Sequence, residues 1–416
     1  MGLEARQAAL RALDGVLRDR RMLAHMAPDA RLLAADQARA ARLASLTLRH
    51  LDPLDACIAP YLDRKPAPAA LAILRLAACE LLVLGEDAHG VVDSAVTIAK
   101  RQKPTQRMAG MINAVLRKVA LEGADRFATA PPQRLPGWIG GPVKKRWGAE
   151  VLRAIEAAHL PLPPIDLTPR PGVSLTLPDA VRLPTGSLRM APGTQISALP
   201  GYETGDFWVQ DAAAALPVRL LGDVAGARVL DLCAAPGGKT MQLAAAGARV
   251  TALDISAARM GRVAQNLTRT GLAADLIVGD AFDHQGGTYD AILLDAPCTA
   301  SGTIRRHPDL PHAKSWTEVE PLTRLQMQLI DHALGLLAPG GRMVFCTCSL
   351  LPVEGEHQVT AALKRHEGLK VIAADARALG GDDAWQSPEG GLRLRPDFWP
   401  GLGGIDGFYM AVLTRP

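Results

Sequence analysis

The sequence predicts a multidomain chain: an all-α front followed by an α/β body with a mostly parallel, helix-covered sheet. Three observations carry this. The 416 residues exceed one core of typical size, at roughly 150 residues per domain. The first ~120 residues are rich in Ala, Leu and Arg, with apolar residues three and four apart, as in Ala8, Leu10, Leu13, Val16 and Leu17. After Gly205, short apolar runs alternate with amphipathic stretches, the pattern of strands and helices taken in turn.

In the front, Pro53, Pro60 and Pro66–Pro68 separate the periodic segments, so five to seven helices are expected within residues 1–125. Residues 126–204 are dense in proline (Pro131, Pro132, Pro136, Pro142, Pro161, Pro163, Pro164). They read as a linker with a helix at Lys145–Ala158 and a small α/β module of short strands. Residues 205–416 form the third segment. Its expected strands are Arg228–Leu232, Arg249–Asp254, Ala274–Val278, Ala291–Asp295 and Arg342–Cys346. Its expected helices include Lys239–Ala245, Ala257–Thr270 and Leu322–Leu337. Ligands of such sheets bind beyond the carboxyl ends of the strands.

Composition excludes several classes. Hydrophobic residues at 48% and charged residues at 21% rule out disorder as the main state. No apolar run reaches 18 residues, and the densest, Leu71–Gly85, contains Arg75 and Glu80, so no membrane span is expected. The start, MGLEARQAAL, carries early charges and no apolar signal region, which points to the cytoplasm. Six cysteines without a C-x-x-C pair are expected to be reduced thiols, with no metal site. The chain is expected to act as a monomer. Its net charge of +4 hides an asymmetry: residues 1–140 hold 20 Lys/Arg and 14 Asp/Glu, or +6, leaving −2 for the remainder. A basic front hints at a polyanion partner, although a solvated helical face explains the excess about as well.

The strongest chemical signal is Val229–Thr240, VLDLCAAPGGKT: a buried strand, a small-residue loop and a helix start. It is neither G-x-G-x-x-G nor a P-loop, so dinucleotides and P-loop nucleotides are not the first choice. Asp254 ends the second strand, 23 residues after Asp231, where an acid can accept hydrogen bonds from both ribose hydroxyls. Asp280 ends the third, within reach of an adenine edge. Acids on successive strand tips suggest a nucleoside-containing cofactor. The fourth strand ends in Asp295 and Cys298, the fifth in Cys346 and Cys348. Both cysteine sites fall at the ligand-binding edge, whereas Cys57, Cys79 and Cys233 read as inert thiols.

LDLCAAPGGKT, LDIS, GDAF, LLDAPCTASGTIRRHPD and TCSLLPVEGE resemble, in order, the motifs of the Sun (Fmu, RsmB-like) RNA cytosine-5 methyltransferases. Gly205–Ala215 resembles the segment that leads into their catalytic domain. Arg6–Leu17 and Met111–Val119 are similar to the NusB-like helical RNA-binding domain in front of bacterial members. The resemblance implies a Rossmann-like S-adenosylmethionine-dependent enzyme that forms 5-methylcytosine in RNA, with small-subunit ribosomal RNA as the expected partner.

It also implies residue roles. Carbon 5 of cytosine is a poor nucleophile until a thiolate adds to carbon 6. The chemistry leaves open which cysteine attacks; the family implies Cys348, with Cys298 assisting release. Asp295 would bind the cytosine, the amino-acid end of the cofactor, or both, and Lys239 would line the pocket. Cys233, Ala234, Ala235, Pro236, Gly237, Gly238 and Lys239, with Asp254, Asp280 and Asp295, would hold S-adenosylmethionine. Arg305 and Arg306 would contact RNA phosphates near the flipped base. All the cofactor contacts lie after Gly205, so that segment alone is expected to bind the cofactor. Three departures stand out: Cys346 where alanine is usual, Asp397 in place of a histidine, and a Pro-rich stretch at Pro161–Val173 where the family has a strand. Rival readings are an exocyclic-amine methyltransferase, a non-catalytic antitermination factor and a tRNA-directed enzyme.

Overall fold

The computed structural model describes residues 2–27 and 29–415. They fall into two units, each with its own core: one runs to Leu160 and includes Arg306–Ser315, and the other holds Pro161–Arg305 and Trp316 onward.

The first unit is helical: α1 (Leu3–Leu17), α2 (Ala34–Arg49), α3 (Leu51–Ile58), α4 (Pro68–Leu82), α5 (Ala88–Arg101), α6 (Ala109–Thr129) and α7 (Gly137–Ala158). Pro68 starts α4 at a position where its missing N–H costs nothing. Asp87 caps α5 by accepting from the Gly90 N–H at 2.8 Å. The apolar stripes meet in one core that contains Leu13, Leu43, Leu74, Ile98 and Leu116. Six helices precede residue 130, within the expected range, but the boundary drawn at 125 falls inside α6. The expected helix Lys145–Ala158 begins earlier, at Gly137, and bends at Gly148, whose φ is 90°. Pro142 lies within it without breaking it, and Pro136 precedes its first residue. Pro136 supplies the carbonyl that receives the Ile139 and Gly140 N–H groups. The segment Arg306–Ser315, with helix α11 (Leu310–Ala313), packs here too. Asp309 accepts the Leu23 N–H at 2.7 Å, and the Pro311 carbonyl accepts the Trp138 indole N–H at 3.3 Å.

The second unit opens with β1 (Ile165–Pro169), β2 (Val181–Arg182), β3 (Leu188–Met190) and β4 (Phe207–Val209), an antiparallel sheet in the order β2-β3-β1-β4. The Pro-rich stretch thus does contain a strand: Pro169 sits at its end, and Asp166 within it is buried against Arg189 at 2.6 and 2.7 Å. Because β4 pairs with β1, a cut at 205 would divide this sheet.

The remaining elements are α8 (Leu216–Leu220), β5 (Arg228–Leu232), α9 (Gly238–Ala245), β6 (Arg249–Asp254), α10 (Ala257–Thr270), β7 (Asp275–Val278), β8 (Tyr289–Asp295), α12 (Val319–Leu336), β9 (Leu337–Thr347), α13 (Glu356–Arg365), β10 (Lys370–Ile372), β11 (Leu392–Leu394) and β12 (Phe408–Thr414). Ser256 caps α10, and Gly271, at φ 62°, ends it. The strands lie in the order β10-β12-β9-β8-β5-β6-β7, with β11 paired to β12. β9, β8, β5, β6 and β7 run parallel, while β12 runs against β9. Leu230, Leu232, Ile292, Leu294 and Phe345 pack one face, and Val229, Leu293 and Val344 the other, as expected for strands covered on both sides.

Candidate active site

The strand order reverses between β5 and β8. From β5 the chain steps outward through β6 and β7, then returns to β8 on the other side. A crevice opens at the carboxyl ends of strands at such a point. Into it run the loop after β5, which carries Cys233–Gly237, the loop after β8, which carries Cys298, and, one strand further, the residues after β9, which include Cys348.

The first loop turns sharply. Gly237 sits at φ 97°, and a Cβ there would lie 3.0 Å from the Val263 side chain, so only glycine fits without strain. Asp254 is buried and accepts the Ala235 N–H at 3.2 Å and the Ser256 N–H at 2.9 Å. Two cavities border the loop. One, of about 150 Å³, is lined by Cys233, Asp254, Ile255, Asp280 and Phe282. The other, of about 380 Å³, is lined by Ala234, Pro236, Gly238, Lys239, Asp231 and Asp295. Burial, followed by the charges of Asp295, Asp254 and Asp231, pushes the Cys233 thiol up to about 12, which makes it a poor nucleophile.

Lys239 and Asp295 meet at 2.7 Å on the wall of the larger cavity. Burial disfavours the Lys239 charge, but Asp295 outweighs it and holds the ammonium above its ordinary range. The second Asp295 oxygen faces the Cys346 thiol at 3.7 Å. Asp231 is fully buried. One of its oxygens takes the Thr240 hydroxyl at 2.6 Å, while the other has no hydrogen-bond partner among the described residues. Burial raises its carboxyl to about 7, against the opposing pull of Thr240 and Lys239. From near 3.9, where an unfolded aspartate releases its proton, up to about 7, the native chain retains a proton that the unfolded chain has lost. Stability therefore falls as pH rises through that window. Asp231→Asn is expected to flatten that slope, as read by urea unfolding at pH 4.5, 5.5 and 6.5; an unchanged slope rejects the assignment.

The two loop cysteines stand together: Cys298 Sγ lies 3.5 Å from Cys348 Sγ, and both are half-buried. Its hydrogen bond with Cys348, then burial, hold the Cys298 thiol well above its ordinary range, so Cys298 retains its proton. Cys346 is on the strand itself, wholly buried, and burial keeps it protonated as well. It faces Asp295.

The sequence reading missed what holds the pair. Glu354 is completely buried and accepts from the Thr299 N–H at 2.9 Å, the Thr299 and Ser349 hydroxyls at 2.5 Å each, and Gln326 at 3.2 Å. Thr299 follows Cys298 and Ser349 follows Cys348, so one carboxylate fixes both cysteine loops. The signal was present: an acid in an apolar segment, with Thr299, Ser301 and Ser349 as hydroxyl donors, must find partners if buried. Gly302 closes the site. Its N–H donates to the Cys348 carbonyl at 2.9 Å, and a Cβ there would lie 1.9 Å from the Gly407 carbonyl.

Arg305 corrects an expectation. Its side chain is 1% exposed, faces Asp406 at 3.2 Å and donates to the Gly403 carbonyl at 2.7 Å. An arginine enclosed this way organises the C-terminal loop and is not presented to a phosphate. Arg306 is half-exposed and begins the segment that belongs to the helical unit. Asp397 is paired with Arg395 at 2.9 and 3.0 Å, a structural contact in place of the histidine.

Residues 218–414 match the family described as 16S rRNA methyltransferase RsmB/F, and residues 3–121 match the NusB family. The chain is 33% identical to a ribosomal RNA small subunit methyltransferase B of Xanthomonas campestris pv. campestris, over 100% of this chain and 98% of the relative. It is 34% identical to the protein so named of Pseudomonas putida, over 99% of each. Among solved structures, it is similar to a methyltransferase homolog protein from Pyrococcus horikoshii, with a TM-score of 0.55 and 26% identity over 66% of this chain and 94% of that one.

Proposed function

We propose, for a chain that belongs to the RsmB/F family of 16S rRNA methyltransferases and carries a NusB-family front, that it forms 5-methylcytosine in small-subunit ribosomal RNA. The observation that carries this is the pair of thiols, 3.5 Å apart, on two loops at the β5/β8 crevice. A methyltransferase acting on an exocyclic amine has no use for two sulfurs there. An antitermination factor has no use for the crevice.

The residues present fit S-adenosylmethionine. Asp254 and Asp280 offer carboxylates to a ribose and an adenine edge. Beside them Ile255, 71% exposed, and Phe282, 37% exposed, offer apolar faces for a purine. Asp231 has a buried oxygen still to be satisfied, on the wall it shares with Lys239 and Asp295. The bound cofactor supplies an electrophilic methyl group. Asp254→Ala is expected to weaken its binding by about 1–3 kcal/mol, the usual cost of leaving buried polar partners unmade; unchanged affinity by calorimetry rejects the ribose assignment.

The chain's own residues do the rest. The Cys348 thiolate adds to carbon 6 of the flipped cytosine, and the electron pair of the 5,6 double bond makes carbon 5 nucleophilic. Asp295, held by Lys239, orients the base. Once carbon 5 carries its methyl group, a base removes the remaining proton from that carbon. The electrons re-form the double bond, and the bond to Cys348 breaks. Cys298, 3.5 Å away, assists that release. The reaction belongs in the cytoplasm, where the thiols stay reduced. The test is bisulfite sequencing of ribosomal RNA from a deletion strain and its complemented parent. Loss of one protected cytosine is expected; an identical protection pattern rejects the reading.

A further inference from the structure

The positive charge of the helical front is concentrated in one place. Between Ala88 and Leu121 there are six cations, Lys100, Arg101, Lys103, Arg107, Arg117 and Lys118, against one carboxylate, Asp93, a net of +5. The rest of residues 1–140 holds 14 cations and 13 acids (20 less 6, and 14 less 1). Many of those are paired with one another: Arg6 with Glu80 at 2.8 Å, Arg39 with Glu86 at 2.8 Å and Arg75 with Asp55 at 2.6 Å. The six cations are all exposed, and only Lys118 makes an ion pair among the described residues, with Glu122 at 3.5 Å. A merely solvated face would resemble the rest of the domain, with its signs interspersed.

Two of these cations, Lys100 and Arg117, line a groove of about 700 Å³ between α5 and α6. Val92, Val96 and Lys100 line it from one helix, together with the carboxylate of Asp93, and Gly110, Asn113 and Arg117 from the other. Their three- and four-residue spacing places each set on one helical face. Lys100 and Arg117 thus stand on opposite walls of an apolar floor. The groove is open at Gly110, where an added Cβ would have nothing within 4 Å.

We propose that the α5–α6 groove docks the sugar–phosphate backbone of the substrate RNA, with Lys100 and Arg117 contacting phosphates and Asn113 offering an amide between them. The proposal rests on the reading of the chain as an RNA methyltransferase. Unpaired cations on both walls of a channel track a polyanion and release its counterions, and such contacts set position on the RNA rather than sequence choice.

The test uses the full chain and a small-subunit ribosomal RNA transcript, with affinity measured across a salt series. In Lys100→Ala/Arg117→Ala, affinity is expected to fall about tenfold or more. The slope of log affinity against log salt is expected to be shallower by about 1.4, from two lost phosphate contacts at about 0.7 each. Gly110→Glu fills the groove from an open position without removing a cation, and should weaken RNA binding comparably. Both variants should bind S-adenosylmethionine like the parent, which confirms that they are folded. Parental affinity and slope in both variants overturn the proposal. If the parent methylates the transcript and the groove variants bind it equally well, the groove fails and the activity stands. If the groove variants bind less RNA while the parent methylates nothing, the activity fails and the groove stands.

Discussion

Cys348→Ala is expected to show no detectable methyl transfer, whereas Cys298→Ala is expected to accumulate RNA attached covalently to the protein. The asymmetry follows from the roles assigned to two sulfurs 3.5 Å apart. Without Cys348 nothing adds to carbon 6, so carbon 5 never becomes nucleophilic and the first step is lost. Without Cys298 the addition still occurs, but elimination slows, and the species that accumulates has its carbon 6 bonded to Cys348. That adduct should survive a denaturing gel run with labelled RNA, and the double variant Cys348→Ala/Cys298→Ala should not form it. Cys346 should not rescue the single variant, because it is buried in β9 facing Asp295; adding Cys346→Ala should change nothing. RNA trapped on Cys348→Ala but never on Cys298→Ala reverses the assignment.

Glu354→Ala is expected to cost about 3 kcal/mol or more of folding stability and most of the turnover. The carboxylate receives four hydrogen bonds from three residues, and its loss takes a charged acceptor from the Thr299 N–H and from the buried Thr299 and Ser349 hydroxyls, which keep only Ser301 nearby, while Gln326 keeps the Pro297 carbonyl. Because Thr299 and Ser349 are the neighbours of the two cysteines, the loops that hold the sulfurs in register should loosen together. Glu354→Gln keeps the shape but turns an amide toward groups that donate, so it should recover only part of the stability. The telling measurement is a split one. Urea unfolding should report the instability, and at a temperature where the variant is fully folded, S-adenosylmethionine affinity should be near that of the parent while kcat remains depressed. A folded variant with parental kcat would reduce Glu354 to a purely structural role.

Much of the catalytic unit was legible because its strands are buried on both faces and its turns are marked. β5, β6 and α10 fall on the expected bounds, since an unbroken apolar run, a strand-tip acid and a Ser/Gly pair of caps leave little room to slide. The glycine-bearing loop after β5 and the two cysteines near the ends of β8 and β9 were legible as local strings. What escaped depends on partners far away in sequence. Arg305 looked like one of a solvent-facing basic pair, but Gly403 and Asp406, a hundred residues on, enclose it. β1 looked like proline-rich linker, because its stability comes from β3 and β4 and from the Arg189–Asp166 pair. Glu354 was read as part of a motif, and nothing local revealed that its acceptors serve both cysteine loops at once. The α5–α6 charge was visible only as a sum over the front, until the helices brought Lys100 and Arg117 to one groove.

The placement of Arg306–Ser315 bears on how such a protein can be inherited. The decapeptide is encoded between β8 and α12 of the catalytic unit, yet it folds with the helical one. Recombination that exchanged the front at Leu160 would import seven helices without the strand of chain they were packed to receive. The Leu23 N–H would meet a foreign residue in place of Asp309, and the Trp138 indole would meet another in place of the Pro311 carbonyl. A chimaera joined only at 160 should therefore be less stable than either parent, and grafting the decapeptide along with the front should restore it. The helical unit is thus drawn from two separate stretches of the gene, which favours transmission of the whole chain and makes its front a poor candidate for shuffling.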